Sequence, residues 1–365
     1  MSKKVVKMGI VGMSRGRHLA DSIIGEPNVE FYAICDKDPV RLNFAKEHFE
    51  RDYGVSGFKC FESFEEFLAS DVEAVVIATD LTLHTAMVVQ ALDAGKHVLS
   101  EIPTINSIED AQKLKDACNR HPDLKYMAGE NCCFWHFINE WKRIYDAGYL
   151  GDIVLAEGEY LHHTYADTLC APDHYRNSDG SLNWRIDMKA IEYLTHELGP
   201  LLYILDDRCV SVCGFAPDFE PVPYVNTKSN EMAVFKTAKG TMIRIFVGFG
   251  VHVGFDHNFT LYGSKGSLET DRGEMVVDAE TFARIHDWTG NKKITLPYTT
   301  RYPGERDDGH GGCDTKMLHA FVECIVNDTK PPIDVDLGIR MAIPGIIAHQ
   351  SMLQGGIPLE IPDIV

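Results

Sequence analysis

The sequence predicts an α/β domain with a doubly wound parallel sheet, followed by an α+β domain. Three observations carry this. Strand and helix signals alternate through the first 125 residues or so, which implies a parallel sheet covered on both faces. From about Gly151 the pattern becomes a run of strands with mixed faces. And 365 residues exceed one average domain, so two are expected, 1–129 and 130–365.

Each element has a local reason. Val5 to Val11 is a short apolar run suited to a buried strand, and Arg15 to Ile24 is amphipathic. Val29 to Cys35 reads as a second strand, and Pro39 to Phe49 as a helix with proline near its first turn. Phe64 to Ala69 is a short helix. Ala74 to Ala78 is a strand centred on Val-Val-Ile, leading into a helix from Leu83 to Ala94 that Gly95 ends. His97 to Leu99 begins the next strand. Ser107 opens a helix whose Glu109 and Asp110 suit the positive end of its dipole. Further on, Asp152 to Leu161, Cys209 to Phe215, Glu231 to Thr237, Thr241 to Val247 and Asn258 to Tyr262 read as strands. Lys236 to Thr241 is a hairpin turn. Helical patterning returns at Lys189 to Leu205 and Thr315 to Asn327, and a last helix ending near Leu353 is expected to pack back on the first domain.

Composition is ordinary for a globular chain, with 45% hydrophobic and 24% charged residues. Fifty-four acidic against 35 basic residues give a net charge of −19, which argues against nucleic acid or an anionic membrane as main partner. No signal peptide is visible, and no stretch approaches the roughly 20 apolar residues of a spanning helix. A cytoplasmic protein is expected. The ten scattered cysteines read as reduced thiols, and Cys132-Cys133 as packing residues.

Gly12-Met13-Ser14-Arg15-Gly16 follows the first strand and opens the first helix. A dinucleotide fold places its glycine-rich turn there, with pyrophosphate on the helix N-terminus. The match to GxGxxG is imperfect: Ser14 stands at the second glycine, and Gly16 comes one residue early. Arg15 offers a charge-assisted contact to pyrophosphate. Asp36 ends the second strand, 24 residues after Gly12, where a carboxylate accepts hydrogen bonds from ribose hydroxyls. It would repel a ribose phosphate, so NAD is favoured over NADP.

Val75 to Asp80 with His84, then Ala91-Leu92-Asp93-Ala94-Gly95-Lys96-His97-Val98-Leu99-Ser100-Glu101-Ile102-Pro103, resembles the Gfo/Idh/MocA oxidoreductases. The resemblance continues through Glu130-Asn131, Gly148 to Ile153, Trp184-Arg185, and His196 before Gly199-Pro200. It ends in His310-Gly311-Gly312 and Gly356 to Pro362, so it covers nearly the whole chain. It implies a Rossmann first domain and a C-terminal domain with a large, open, mainly antiparallel sheet whose exposed face packs on another subunit. A homo-oligomer, dimer or tetramer, follows. NAD is implied as cofactor, its nicotinamide facing a pocket built by the second domain. Thr79, Leu81 and His84 are placed along it, Glu101 near the nicotinamide ribose and Asn131 at the nicotinamide end.

One departure matters. Most members of the family carry a lysine after the glutamate, and that lysine serves proton transfer beside the substrate hydroxyl. Here Ile102 occupies the position, and isoleucine cannot carry a proton. The family's catalytic histidine matches His196 and its aspartate falls on Glu192. Lys189, Glu192, Tyr193 and His196 stand at i, i+3, i+4 and i+7, one face of a helix if the segment is helical. Histidine suits a base near neutral pH. Glu192 is expected to orient His196, and Tyr193 or Lys189 to hydrogen-bond the substrate oxygen. The alternative is a surface helix face with a salt bridge.

Strand alternation puts Glu157, Glu159 and His163 on one face, Tyr160 and His162 on the other. Tyr160, His163, Trp184, Arg185 and His310 are candidates to bind substrate, His310 from a polar loop read as a lid. A His/Glu metal site with His196 is the weaker reading, and no metal is expected. The leading function is NAD-dependent hydride exchange with a hydroxyl carbon of a sugar, glycoside or polyol. The alternatives are a redox-assisted glycosidase that recycles NAD and a non-catalytic NAD-binding sensor.

Overall fold

The computed structural model describes residues 4–162, 175–222, 225–251, 256–270, 282–287, 290–295 and 310–365. In chain order the first elements are β1 (Val6–Val11), α1 (Gly16–Ile23), β2 (Val29–Cys35), α2 (Pro39–Asp52), β3 (Lys59–Phe61) and α3 (Phe64–Leu68). Next come β4 (Ala74–Ile77), α4 (His84–Asp93), β5 (His97–Ser100), α5 (Ile108–Arg120), β6 (Tyr126–Ala128) and α6 (His136–Asp146). Then follow β7 (Ile153–Leu161), α7 (Thr195–Leu205), β8 (Cys209–Phe215), β9 (Asn230–Thr237), β10 (Met242–Gly248), β11 (Asp256–Gly263) and β12 (Ser267–Thr270). The last are β13 (Phe282–Asp287), β14 (Gly290–Thr295), α8 (Cys313–Asn327), α9 (Val335–Leu353) and β15 (Leu359–Glu360). The chain forms two compact units: Met1–Asn131 with Arg301–Ile339 and Val365, and Cys132–Thr300 with Arg340–Ile364.

The first unit holds a six-stranded sheet in the order β3-β2-β1-β4-β5-β6, every pair parallel. That is the doubly wound order, with its switch point between β1 and β4. Strands covered on both faces read as apolar runs, and β4, Ala-Val-Val-Ile, is buried throughout. The helices start where local chemistry says they should. Asp38 caps α2 by accepting from Val40 N, with Pro39 at the first position, and Ser107 caps α5 by accepting from Asp110 N. Helix α8 joins this unit from far down the sequence. It buries Met317, Leu318, Phe321 and Val322 and packs on α1. Its polar ties run from Asn28 to Glu323 (3.2 Å) and from His319 to Glu26 (2.9 Å).

The second unit is built on a nine-stranded sheet, β14-β13-β12-β11-β7-β10-β9-β8-β15, among the described residues. Only the central β10–β7 pair is parallel; the other pairs are antiparallel. Register fixes two unlike faces. Ala156, Ile243, Ile245, Val247, Ala233, Phe235, Phe259 and Leu261 lie on the face packed by helix, each 1% exposed or less. The opposite face leaves Phe215, Val234, Met242 and Tyr262 open at 38 to 47% exposure.

Phe321 has no exposed surface, whereas Phe44 is 58% exposed. Phe321→Ala is therefore expected to destabilise the first unit by about 3–5 kcal/mol. Phe44→Ala should leave the calorimetric transition within about 0.5 kcal/mol of wild type. Equal effects would contradict the placement of α8 in that unit.

Candidate functional site

In the first unit the residues expected to meet a dinucleotide all follow the carboxyl ends of strands. Gly12 leaves β1 at φ +91°, and a Cβ there would stand 2.4 Å from the Ala78 carbonyl oxygen at the end of β4. Only glycine can make that turn against its neighbour. Ser14 is exposed on the turn, Met13 buried beneath it, and Gly16 opens α1. No side chain caps α1 and no acidic residue occupies its first turn, so its N-terminus stays electropositive. Asp36, 7% exposed, accepts from Met13 N (2.7 Å) and Asp38 N (2.9 Å) on its two oxygens. Each carboxylate oxygen accepts more than one bond, so capacity for ribose hydroxyls is left. The cradle fits an adenine dinucleotide.

The other cofactor candidates pack as braces. Thr79 follows β4, its hydroxyl on the Met87 sulfur (3.4 Å), and Leu81 is buried in a 3₁₀ turn, Leu81–Leu83. His84 sits with both ring nitrogens 3.0 Å from carbonyl oxygens, those of Pro103 and Thr79, so it ties the loops after β4 and β5 together. Ile102 is buried, 7% exposed.

Three of the sequence candidates, Arg15, Asn131 and His310, converge on Asp314, a residue the sequence reading missed, and a fourth, Glu101, shares the arginine. Arg15 donates from Nε to Glu101 (2.9 Å) and through both terminal nitrogens to Asp314 (2.9 Å each). Asn131 donates to the same carboxylate (2.7 Å), and His310 Nδ1 lies 3.0 Å from it. Asp314 has no exposed side-chain surface. Burial alone would raise its pKa, but the Arg15 guanidinium and His310 outweigh it and hold the carboxyl well below the usual range. Three of the five Arg15 N–H groups are thus directed at carboxylates. His310, at φ +48°, is anchored by Asp314 at the start of α8, and the loop before it lies outside the described residues.

In the second unit the expected single helix face is corrected. Ala190–Tyr193 is a 3₁₀ turn, and α7 begins only at Thr195. Residues three apart eclipse in a 3₁₀ turn, so the four candidates split into two pairs. Lys189 Nζ pairs with Glu192 (2.9 Å), and Tyr193 meets the His196 ring edge-on (5.1 Å, 68°). Glu192 therefore serves Lys189 and does not orient His196. Burial pushes its carboxyl pKa up, against the pull of Lys189. The turn is anchored by Glu231, whose oxygens take Ile191 N (3.1 Å) and His349 Nδ1 (2.8 Å).

His196 is 9% exposed and held on three sides. Its ring stacks on Tyr160 (5.3 Å, 24°), Tyr193 covers its edge, and Nδ1 lies 3.2 Å from Cys132 Sγ. Cys132 is thus more than a packing residue. Strand alternation holds along β7: Tyr160 faces the rings, while Glu157 and Glu159 bind Arg244 on β10 (2.6 and 2.9 Å) on the other side. Trp184 and Arg185 sit in a separate 3₁₀ turn with the guanidinium 4.7 Å from the indole, engaged with each other. His163 lies outside the described residues.

Asp314→Asn keeps the shape and removes the charge. Breaking a buried ion cluster this way is expected to cost about 3–5 kcal/mol at pH 7. A carboxyl whose folded pKa lies below its unfolded value of about 3.9 stabilises above that value and loses the contribution as pH falls. The gap between wild type and variant in urea unfolding should therefore be constant above about pH 4 and shrink progressively as pH falls below it, towards the depressed folded pKa. A difference independent of pH would contradict the ion cluster.

Comparison with known proteins agrees with the fold of both units. Residues 6–129 match the oxidoreductase family with NAD-binding Rossmann fold, and 138–269 the GFO/IDH/MocA C-terminal domain. Residues 222–365 also match the C-terminal domain of glycosyl hydrolase 109. A glycosyl hydrolase family 109 protein of Solibacter usitatus is 24% identical, over 98% of this chain and 88% of its own. Among solved structures, an oxidoreductase domain protein from Kribbella flavida superposes with TM-score 0.82 at 19% identity, covering 98% of this chain and all of the other. Scyllo-inositol dehydrogenase from Lactobacillus casei, with bound NAD(H) and scyllo-inositol, gives 0.77 at 19%, over 98% and 99% of the two chains. With one family model on each unit, the chain belongs to the Gfo/Idh/MocA family of NAD-binding oxidoreductases.

Proposed function

We propose that this protein exchanges a hydride between NAD and a hydroxyl-bearing carbon of a sugar, glycoside or polyol, with His196 as the base. The carrying observation is the His196 imidazole itself: 9% exposed, fixed at Nδ1 by Cys132, and flanked by two phenol rings. A hydroxyl carbon gives up hydride only if its proton leaves to a base in contact, and a fixed imidazole meets that need near neutral pH. NAD, when bound, supplies the hydride acceptor. Gly12 to Gly16 with Asp36 hold its pyrophosphate and adenosine ribose. Thr79, Leu81, Glu101 and Asn131 line its further course, with His84 bracing their loops. In the second unit Nε2 of His196 takes the hydroxyl proton, and Tyr160 and Tyr193 orient the substrate oxygen. Trp184 and Arg185 offer a stacked surface for a sugar ring.

A second reading is favoured by the glycosyl hydrolase 109 match over 222–365 and by the relatives of that name. In it the same oxidation acidifies the neighbouring carbon–hydrogen bond. The glycosidic bond leaves by elimination, water adds, and the hydride returns. Tyr160, Tyr193 and His196 supply several proton-transfer groups within one cluster, which such a sequence needs. We further place the protein in the cytoplasm as a dimer or tetramer. The open apolar residues Phe215, Val234, Met242 and Tyr262 support a second copy as partner.

The test is an incubation with NAD and a panel of sugars, inositols and aryl glycosides, following NADH absorbance and aryl release together. NADH formation supports the plain oxidoreductase, and aryl release with catalytic NAD supports the glycosidase. Tight NAD binding with neither signal would overturn both. His196→Ala should lower kcat about 100-fold or more; full activity would remove His196 from the mechanism. Asp36 leads to a preference for NAD over NADP, and Asp36→Asn should narrow it in calorimetric titration.

A further inference from the structure

Behind the ring cluster lies a buried acid–imidazole pair that the reaction above does not use. Glu197 and His257 have side chains 0% and 2% exposed, with Oε1 and Nδ1 2.6 Å apart. Glu197 comes from the first turn of α7, one residue after His196. His257 comes from β11, where register sets it directly opposite Tyr160 on β7. The approach is close because β7 carries Gly158 beneath the helix: a Cβ there would stand 2.6 Å from the Cβ of Glu197. The sheet is thus notched where the acid enters.

A buried ionisable pair is a poor device for stability, since hydrocarbon of similar volume often serves as well or better. Its orientation says more. The His257 ring makes T-shaped contacts with Tyr160 (4.9 Å, 68°) and with Trp135 (4.9 Å, 75°), and its centroid lies 6.0 Å from that of His196. Tyr160 in turn is the ring on which His196 stacks. We infer that Glu197 and His257 are positioning residues for the reaction: Glu197 locks the His257 ring, His257 sets the Tyr160 ring, and Tyr160 sets the His196 imidazole. The carboxylate fixes which nitrogen of His257 carries the proton, so the rotation of that ring is fixed as well. An error of an ångström in such a stack is enough to cost about 100-fold in rate.

The inference rests on the proposed role of His196, so its test has two arms. Glu197→Gln keeps the size and removes the charge. The double variant E197L/H257F replaces the pair with hydrocarbon, and Phe keeps a ring beside Tyr160. Both are compared with wild type in melting temperature and NAD affinity, which a positioning role leaves near wild type for the double variant. The first arm is the proton NMR signal of His196, assigned by its loss in His196→Gln, because stacking on Tyr160 displaces it by ring current. A positioning pair predicts that this signal moves in both variants. The second arm is turnover, with kcat expected to fall about 10- to 100-fold at little change in KM. An unmoved His196 signal, or wild-type kcat in the double variant, overturns the inference. If wild type itself fails to turn over any panel substrate, the proposed function fails, and the NMR arm still decides the positioning claim.

Discussion

A carboxylate with no exposed surface has to be answered by its surroundings, and Asp314 organises the first unit on that condition. Leaving such a charge unpaired is costly in a medium that cannot solvate it. Arg15, Asn131 and His310 answer it, and Glu101 shares the arginine. These residues come from the turn after β1, the end of β5, the segment after β6 and the start of α8. One charge thus draws four loops at the carboxyl edge of the sheet into a single arrangement. That edge is where open α/β sheets bind ligands. The glycine turn and Asp36 are held beside it by the same backbone, so the dinucleotide cradle is built into the fold before any ligand arrives.

The second unit meets a different constraint. Its sheet must bury one face under helix α7 and still keep polar rings there. Gly158 gives the helix room, and the 3₁₀ turn before α7 hands over Tyr193 and His196 as a facing pair. Glu231 pins the turn by accepting Ile191 N, a backbone group that the buried turn would otherwise leave unsatisfied.

Much of this was legible in the sequence because it is local. The turn from Gly12 to Gly16, Asp36 at the end of β2 and the Ser107 cap are decided within a few residues, and all stand where expected. Three-residue strands such as β3 and β6 were missed, since so short a run has no period to read. The Lys189 to His196 segment was read as one helix because its spacing is helical. Its break comes instead from Glu231, forty residues away. Asp314 stands just before the stretch read as helix from Thr315, and its partner Arg15 is 299 residues distant. No spacing rule reaches that far. Cys132 was passed over for the same reason, its partner His196 lying 64 residues on.

Direct hydride exchange between substrate carbon and nicotinamide is the step on which the proposed chemistry depends. The sharpest measurement uses ring-deuterated sugars or glycosides with the protein and unlabelled NAD, followed by NMR of the nicotinamide. Deuterium is expected at C4 of the nicotinamide, on one face, whether the cofactor ends reduced or is recycled. Turnover of the labelled substrate with no deuterium at C4 would contradict the account.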